Sequence, residues 1–183
     1  MPSRPTRLQE AVSISAVAEY HRDAESSLRL YFTKANPNFV ARFADYVPAE
    51  VQKELGDRID ETDLRSALAI MSRIEAIFRV DYRQRCKKKL PDDVSIAFRR
   101  LRKAYGASDW QVPLEGKIFE TWRTVHPVTS RLIGELKGAF RFRHWLAHGR
   151  YFQPKLGRKY DYQYLYLLAI AVLEQLPLIS ENA

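Results

Sequence analysis

The sequence predicts an all-α fold, an antiparallel bundle of four to five long helices with minor helices. Apolar side chains recur at three- and four-residue intervals over long stretches, which is typical of amphipathic helices. The chain of 183 residues has only 7 glycines, and no stretch shows the strict alternation of a half-buried strand. Its hydrophobic content of 46% is enough for a substantial core.

The N-terminal third contains one clear helix and a weaker helical segment. Residues 8–34 carry apolar side chains at helical spacing, and the turn-forming residues 35–38 end this helix. Pro48 favours one or two further turns, because proline is tolerated in the first turn of a helix. We therefore predict that residues 1–58 form a helical extension, which packs on a bundle formed by residues 59–183 within one compact domain.

The strongest helical pattern begins near Asp60. Asp60 or Thr62 is the predicted N-cap, since the short side chains of Asp and Thr bind the free backbone N–H groups of a first turn. Apolar residues then repeat at helical spacing from Leu64 to Phe78. This helix is predicted to end at about Arg85, before three lysines that suit the negative end of the helix dipole.

Each later helix is bounded by a recognisable start or stop signal. Asp92 or Asp93 caps the next helix, and Gly106 stops it. Pro127 opens a long helix that ends before Gly149. A shorter helix lies between these two, and the last helix is strongly apolar. The predicted ranges are about 92–105, 114–125, 127–148 and 161–176.

The net charge of the chain is +8, which favours polyanionic partners such as nucleic acid, nucleotides or an acidic protein. No stretch approaches the roughly 20 apolar residues of a membrane span, so we expect no membrane association. The basic N-terminus lacks a following apolar segment, and we therefore expect no secretion signal. Cys86 is the only cysteine, which excludes an intramolecular disulfide and a cysteine-based metal cage and favours a reducing, cytoplasmic location.

One window of the sequence, residues 136–160, concentrates positive charge and contains no Asp or Glu. Cations that contact phosphate, interleaved with rings on which bases stack, are typical of single-stranded nucleic acid binding. A helix whose rings face the core while its cations are solvated explains the same pattern equally well. The cations are Lys137, Arg141, Arg143, Arg150, Lys155, Arg158 and Lys159, and the rings are Phe140, Phe142, Trp145, Tyr151, Phe152 and Tyr160.

Within this window, Arg143, His144 and His148 form the candidate site. Gly149 is a natural residue to follow a helix, so His148 is predicted at the helix end. His144 and His148 are four residues apart and share a face, and Arg143 lies next to it. Arg143 is therefore placed to hold a phosphate while His148 exchanges a proton with the substrate. A metal pair is the alternative, but no carboxylate or thiol is nearby in the sequence to complete the ligands. We therefore expect no metal and no cofactor.

This site resembles the motif of the HEPN superfamily, in which an arginine and a polar residue precede a histidine by a few variable positions (R-x4-6-H). The matching residues are Arg143-His144-Trp145-Leu146-Ala147-His148. The surrounding residues 142–152 look like the form found in small bacterial HEPN proteins, and residues 72–82 are also similar to these proteins. The resemblance covers about residues 60–176. It implies a HEPN-like bundle and a homodimer in which two motifs face each other in one composite site.

The resemblance also implies an activity and roles for the site residues. Active HEPN proteins are metal-independent endoribonucleases of toxin–antitoxin, abortive-infection and CRISPR-associated systems. In this chain, His148 is then the acid/base, Arg143 stabilises the transition state, and His144 orients or assists. The implied partners are RNA, a second copy of the chain, and an antitoxin or regulatory protein. The residues expected to contact the substrate are Arg141, Arg150, Tyr151, Lys155, Glu75 and Arg79.

Simpler explanations remain for several of these residues and for the whole chain. Glu75 and Arg79 fit an ordinary i,i+4 surface pair at least as well as a part of the site. The cations of the loop after Gly149 fit solvated surface charges equally well. A non-catalytic HEPN module that binds RNA, nucleotides or a protein partner is the second functional hypothesis. A third is an interaction bundle that assembles through the apolar residues 164–176.

Overall fold

The computed structural model describes residues 13–106, 112–150 and 155–179. Within these ranges the protein is all-helical, with seven α-helices and no strand, which confirms the predicted fold class. None of the described helices is both long enough and apolar enough to cross a membrane. The helices are α1 (Ile14–Tyr31), α2 (Phe39–Arg42), α3 (Pro48–Lys88), α4 (Asp93–Tyr105), α5 (Phe119–Val125), α6 (Ser130–Ala147) and α7 (Tyr162–Gln175), with a π-helical turn at Leu114–Ile118 and a 3-10 turn at Pro127–Thr129.

Helix α3 begins earlier than predicted, at Pro48 instead of near Asp60, and is continuous over 41 residues. At its start the Glu50 carboxylate accepts a hydrogen bond from the backbone N–H of Val47 at 2.9 Å. Thr62, a predicted N-cap, lies inside the helix, where its hydroxyl donates to the carbonyl of the preceding turn. The predicted division between residues 58 and 59 therefore lies within this helix.

The continuity of α3 has a physical explanation that the apolar pattern did not reveal. Gly56 costs about 1 kcal/mol relative to alanine inside a helix. Two i,i+4 ion pairs, Lys53–Asp57 and Glu54–Arg58, span this position and oppose that cost. In addition, the early part of α3 packs against α1 and α2 in a small cluster of its own, which contains Phe32, Phe43 and Val51.

The predicted boundaries of the later helices are confirmed by their caps. Asp92 accepts a hydrogen bond from the backbone N–H of Ser95 at 3.0 Å and begins α4, which ends at Gly106 with a φ of 83°. Asp161 accepts from the backbone N–H of Tyr164 at 2.9 Å and begins α7. Pro127 also marks a helix start, although Pro127–Thr129 form a 3-10 turn and α6 itself begins at Ser130.

Helix α3 is the central element, and α1, α4 and α6 run antiparallel to it. Two contacts along each helix define its direction. They are His21–Ser66 and Phe32–Val51 for α1, Asp92–Arg85 and Phe98–Tyr82 for α4, and Arg143–Glu75 and Arg150–Glu61 for α6. Helix α7 runs antiparallel to α6, since Tyr160, just before α7, stacks on Phe142 late in α6, whereas Tyr164 contacts Glu135 early in α6.

The main core lies between α3, α4, α5, α6 and α7 and is rich in aromatic side chains. Phe78 of α3 packs edge-on against Phe119 of α5, and Tyr82 packs edge-on against Phe98 of α4. Trp122 of α5 is fully buried and packs edge-on against Phe98. Burial of such large apolar groups is the main favourable contribution to folding, and it fixes the position of α6 over the middle of α3.

A buried polar network links the second half of α3 to the C-terminal segment. The Asp81 carboxylate accepts hydrogen bonds from Arg85 at 2.7 Å, from the Trp122 indole at 3.3 Å and from the backbone N–H of Ile179 at 2.9 Å. Arg85 in turn donates to the carbonyl of Pro177 at 2.5 Å. Asp81 and Arg85 are almost completely buried, and their hydrogen bonds offset only part of the cost of removing two charges from water, since burial still raises the pKa of Asp81.

Candidate functional site

The candidate site lies where the end of α6 passes over the middle of α3. Helix α6 ends at Ala147, and His148 is its C-cap. Gly149 follows with a φ of 81°, and the backbone N–H of Arg150 bonds the carbonyl of Trp145 at 3.2 Å. This pattern is a Schellman motif, in which a glycine in the left-handed conformation closes the helix. The predicted position of His148 at the helix end is therefore confirmed.

The two imidazoles of the motif are in contact and open to solvent. The ring centroids of His144 and His148 are 4.1 Å apart, with an angle of 52° between the planes. Both residues are exposed. Their spacing of four residues on α6 brings them to one face, as predicted. Two adjacent imidazoles at a surface are able to accept and donate protons to a bound substrate.

Arg143 is linked to α3 through a carboxylate. Its Nη2 lies 3.1 Å from Oε2 of Glu75, while Oε1 of Glu75 accepts a hydrogen bond from Nε of Arg79 at 3.0 Å. Arg79 also donates to the carbonyl of Val112 at 3.4 Å. Glu75 thus bridges two arginines from two helices, which is more than the surface pair that its spacing from Arg79 suggested. In the described part of the chain, the Nε atom of Arg143 is buried and has no hydrogen-bond partner.

Glu115 is a residue of this region that the sequence did not single out. It lies in the π-helical turn before α5 and is partly buried. Burial raises the pKa of Glu115, although four nearby basic groups act in the opposite direction. These groups are Lys137, Arg141, His144 and Arg143. No sequence signal indicated this proximity, because an acidic residue in the first turn of a helix is ordinary and Glu115 is distant from the motif along the chain.

Most cations of the window 136–160 are paired with carboxylates from outside it. Arg150 donates to Glu61 of α3 at 2.8 and 3.2 Å, and these hydrogen bonds lower the pKa of Glu61. The window lacks acidic residues in sequence but not in space, so its capacity for phosphate is smaller than its composition suggests. The other pairs are Lys137–Glu120, Arg143–Glu75, Arg158–Glu135 and Lys159–Asp161.

The remaining predicted substrate contacts are placed differently. Arg141 and Lys155 are exposed. Tyr151 lies outside the described residues, as does Phe152. The rings of the window that the structure does describe face the core, since Phe140 and Phe142 are buried and Trp145 packs against them. Tyr160 is also buried, and its hydroxyl fills the space where a Cβ at Gly138 would lie. Phe140, Phe142 and Tyr160 are therefore part of the core, and the hypothesis that these three rings stack on bases is wrong.

The chemistry available at this site is that of a guanidinium, two imidazoles and two partly buried carboxylates. Glu75 and Glu115 supply the acidic groups that the sequence window lacks. Among the residues that the structure describes, however, no three His, Cys, Asp or Glu side chains are grouped as ligands for a metal ion. The arrangement is suited to binding a phosphate group and to moving protons next to it.

Known proteins give no further information about the site. The chain was compared with protein-family models, with curated proteins and with solved structures. None of these comparisons finds a match.

Proposed function

We propose that this protein is a metal-independent endoribonuclease of the HEPN type. It cleaves single-stranded RNA at a composite site in a homodimer. The observation that carries the proposal is the end of α6, where the exposed imidazoles of His144 and His148 are in contact and Arg143, the residue before His144, acts on the same Glu115 carboxyl as His144 does. The net charge of +8 is consistent with an RNA substrate.

The proposed reaction is an attack of the ribose on the neighbouring phosphate. The 2′-oxygen forms a bond to phosphorus, and the bond between phosphorus and the 5′-oxygen breaks. A base takes the proton of the 2′-hydroxyl, and an acid gives a proton to the leaving 5′-oxygen. The products are a 2′,3′-cyclic phosphate and a 5′-hydroxyl. No other reactant is needed, because the step is an internal transfer of the phosphoryl group.

Each motif residue has a role in this reaction. His148 transfers the proton, and His144 orients it or acts as the second proton-transfer group. Arg143 stabilises the negative charge of the phosphorane-like transition state. The contact with Glu75 engages one terminal nitrogen of Arg143 and the Nε atom is buried, so the other terminal nitrogen is the donor that we assign to a phosphate. Glu75 and Arg79 hold this guanidinium in place.

The experiment is an RNA cleavage assay with the full-length protein in the presence of EDTA. Wild-type protein is expected to cut labelled single-stranded RNA and to leave 2′,3′-cyclic phosphate ends. His148→Ala is expected to slow cleavage by about 10²–10⁴-fold, the usual contribution of a general acid or base. His126→Ala, which changes a histidine outside the motif, is the matched control. Cleavage that survives His148→Ala, or that requires a divalent metal, contradicts the proposed mechanism.

The homodimer in this proposal has its own test. If two motifs form one active site, the specific activity decreases when the protein is diluted below the dissociation constant of the dimer. Light scattering of the same samples gives the oligomeric state at each concentration. A specific activity that stays constant while the protein becomes monomeric contradicts a composite site.

The biological role that we propose is a toxin or an anti-phage effector that arrests growth by degrading RNA and is restrained by an antitoxin or regulatory protein. Expression of the wild type beside His148→Ala tests this role. Arrested growth with degraded cellular RNA is expected only for the wild type. Equal growth of both strains with intact RNA contradicts the proposal of a toxic nuclease.

A second candidate function is a non-catalytic HEPN module that binds RNA, nucleotides or a protein partner. The contact between Arg143 and Glu75 favours it, because a carboxylate then partly neutralises the guanidinium that catalysis needs. This function predicts RNA or nucleotide binding that weakens steeply with salt but yields no product. The cleavage assay above separates the two candidates.

A further inference from the structure

A second basic region lies where the end of α3 meets α4, away from the R-x4-H motif. From Tyr82 to Gly106 the chain has nine Lys and Arg residues but only two acidic residues, Asp92 and Asp93. The carboxylate of Asp92 already has partners within the fold, since it accepts a hydrogen bond from Arg85 at 2.8 Å and caps α4. This leaves a large excess of positive charge on one part of the fold.

An open cleft of about 450 Å³ lies within this region, and we refer to it as the α4 cleft. Its volume is in the range of about 300–1,000 Å³ that is usual for ligand sites. Three of its lining residues are cations at positions i, i+3 and i+4 of α4, so they share one face of that helix. The lining residues are Cys86 of α3, Arg99, Arg102 and Lys103 of α4, and Gly106.

The charges of Arg99 and Lys103 are not neutralised within the described ranges of the chain. There, neither residue forms an ion pair with a carboxylate. Arg99 donates to the carbonyl of Leu90 at 2.8 Å, which holds its guanidinium in position without cancelling its charge. This differs from the window 136–160, where most cations are paired. Lys103 is exposed and free to meet an anion.

The α4 cleft and the candidate site both lie along α3. Cys86 follows Glu75 by eleven residues, which is close to three full turns of a helix, so both residues point to the same side. The rise along α3 between them is about 16 Å. A few nucleotides of a single strand are long enough to extend from one position to the other.

We propose that the α4 cleft is a second anchoring site that binds the backbone phosphates of single-stranded RNA. This inference rests on the proposed function, because the RNA is the one whose scissile phosphate lies at Arg143 and His148. Guanidinium and ammonium groups bind phosphate regardless of base sequence, so the cleft adds affinity and positions the strand. It does not take part in bond breaking.

The experiment measures binding of a labelled single-stranded RNA of about 20 nucleotides, longer than the ~4–16 nucleotides that one single-strand binding fold covers. Full-length protein with His148→Ala is used, so that the RNA stays intact. Adding Arg99→Gln and Lys103→Gln is expected to weaken binding roughly tenfold. It is also expected to reduce the slope of log Kd against log salt concentration by about 1.4, since two phosphate contacts are lost.

The control neutralises the same number of charges far from the cleft. Arg22→Gln with Lys34→Gln changes two exposed cations on and beyond α1, and it is expected to leave the salt slope unchanged. Because Arg99 also bonds the carbonyl of Leu90, thermal unfolding is measured for every variant. If the double variant is unfolded, Lys103→Glu alone is the test, since the exposed Lys103 side chain forms no hydrogen bond or ion pair with another described residue.

Each outcome decides a separate point. A cleft variant that binds RNA like the control overturns the second anchoring site, whatever the cleavage assay shows. Equal affinity for adenosine monophosphate and for the long RNA also overturns it, because the cleft would then be a nucleotide site. If wild-type protein does not cleave RNA but the cleft variant still shows the weaker binding and the smaller slope, the anchoring site stands and the ribonuclease proposal fails.

Discussion

Helix α3 carries two acid–arginine pairs of the same type, six residues apart, and their surroundings differ. Glu75 binds Arg79 at 3.0 Å, and Asp81 binds Arg85 at 2.7 Å, both through the Nε atom at i,i+4 spacing. The side chains of Asp81 and Arg85 are 0% and 6% exposed, whereas those of Glu75 and Arg79 are 23% and 22% exposed. We call the first the inner pair and the second the outer pair.

The two pairs differ in the elements that cover them and in the polar atoms that remain without a hydrogen-bond partner. The inner pair is enclosed by α4, α5 and the C-terminal segment, and these elements satisfy its donors and acceptors. The outer pair is covered by α6, which adds Arg143 and leaves the Nε atom of that residue without a partner in the described structure. The same sequence pattern is therefore fully enclosed and hydrogen-bonded in one place and partly exposed in the other, because the packing around it differs.

The largest effect that we expect is the loss of stability in Asp81→Ala. Removing this carboxylate leaves the buried guanidinium of Arg85 without its main partner, and breaking a buried pair typically costs about 3–5 kcal/mol. Urea unfolding followed by circular dichroism measures the change. Glu75→Ala, the same type of change in the outer pair, is expected to cost about 1 kcal/mol or less, since a partly exposed pair contributes little.

These two variants test whether the inner and outer pairs differ in their contribution to stability. If Glu75→Ala destabilises the protein as much as Asp81→Ala does, the outer pair is also a structural element. The ion pair between Glu75 and Arg143 would then hold α3 and α6 together. Residual RNA binding by Glu75→Ala would show whether the guanidinium still reaches a phosphate.

The second effect concerns activity and not stability. Arg143→Ala is expected to reduce RNA cleavage by about 10²–10³-fold, the usual loss when a donor to a developing negative charge is removed. Its free energy of unfolding is expected to change by about 1 kcal/mol or less. Arg143→Lys keeps the charge but lacks the planar fork, so partial activity is expected. Arg131→Ala, at a highly exposed position of the same helix, is the control and should remain active.

The fold was largely predictable because its signals are local. The caps at Asp92 and Asp161 and the glycine after α6 each act within one helical turn, and the structure has them where the sequence indicated. The start of α3 was not predicted, since ion pairs and the small aromatic cluster with α1 and α2 extend a segment that has little apolar periodicity.

The surroundings of the candidate site were less predictable because they depend on contacts distant in sequence. Spacing alone brought His144 and His148 to one face of α6. The partners of the cations, such as Glu61 for Arg150 and Glu120 for Lys137, come from other helices. The window 136–160 has no acidic residues and therefore indicated a free basic surface. The sequence does not specify which helices pack against this window, so it could not indicate the carboxylates that they bring.

A smaller effect is expected for Gly149→Ala, which tests how the end of α6 positions the outer site. Gly149 has a φ of 81°, and an L-residue in the left-handed region costs roughly 1–2 kcal/mol. We expect a lower Tm and slower RNA cleavage, because His148 precedes this turn. Gly157→Ala changes another glycine with positive φ, away from the motif. It should lower Tm by a similar amount but leave cleavage unchanged. An equal loss of activity in both variants would contradict a specific role of the turn at Gly149.

The smallest effect is expected for Glu115→Gln, and it depends on pH. Burial raises the pKa of Glu115 above its value in the unfolded chain, about 4.3. Because the folded protein then binds this proton more tightly, the wild type loses stability as the pH rises from the unfolded pKa through the higher folded pKa. Glutamine does not ionise, so the variant is expected to have the higher Tm at neutral pH. The Tm difference should disappear below about pH 4, where the wild-type carboxyl is also neutral.

Comparison with Glu174→Gln, an exposed position on α7, shows whether this behaviour is specific to the site. A higher Tm of Glu115→Gln at neutral pH would show that the Glu115 carboxylate does not stabilise the folded state, and that the cations around it are not held in place by this charge. If Glu115→Gln instead lowers the Tm at neutral pH, the carboxylate stabilises the folded state through the cations around it. The charges on the outer side of α3 would then neutralise one another, as those of the inner pair do, and little positive charge would remain there for RNA.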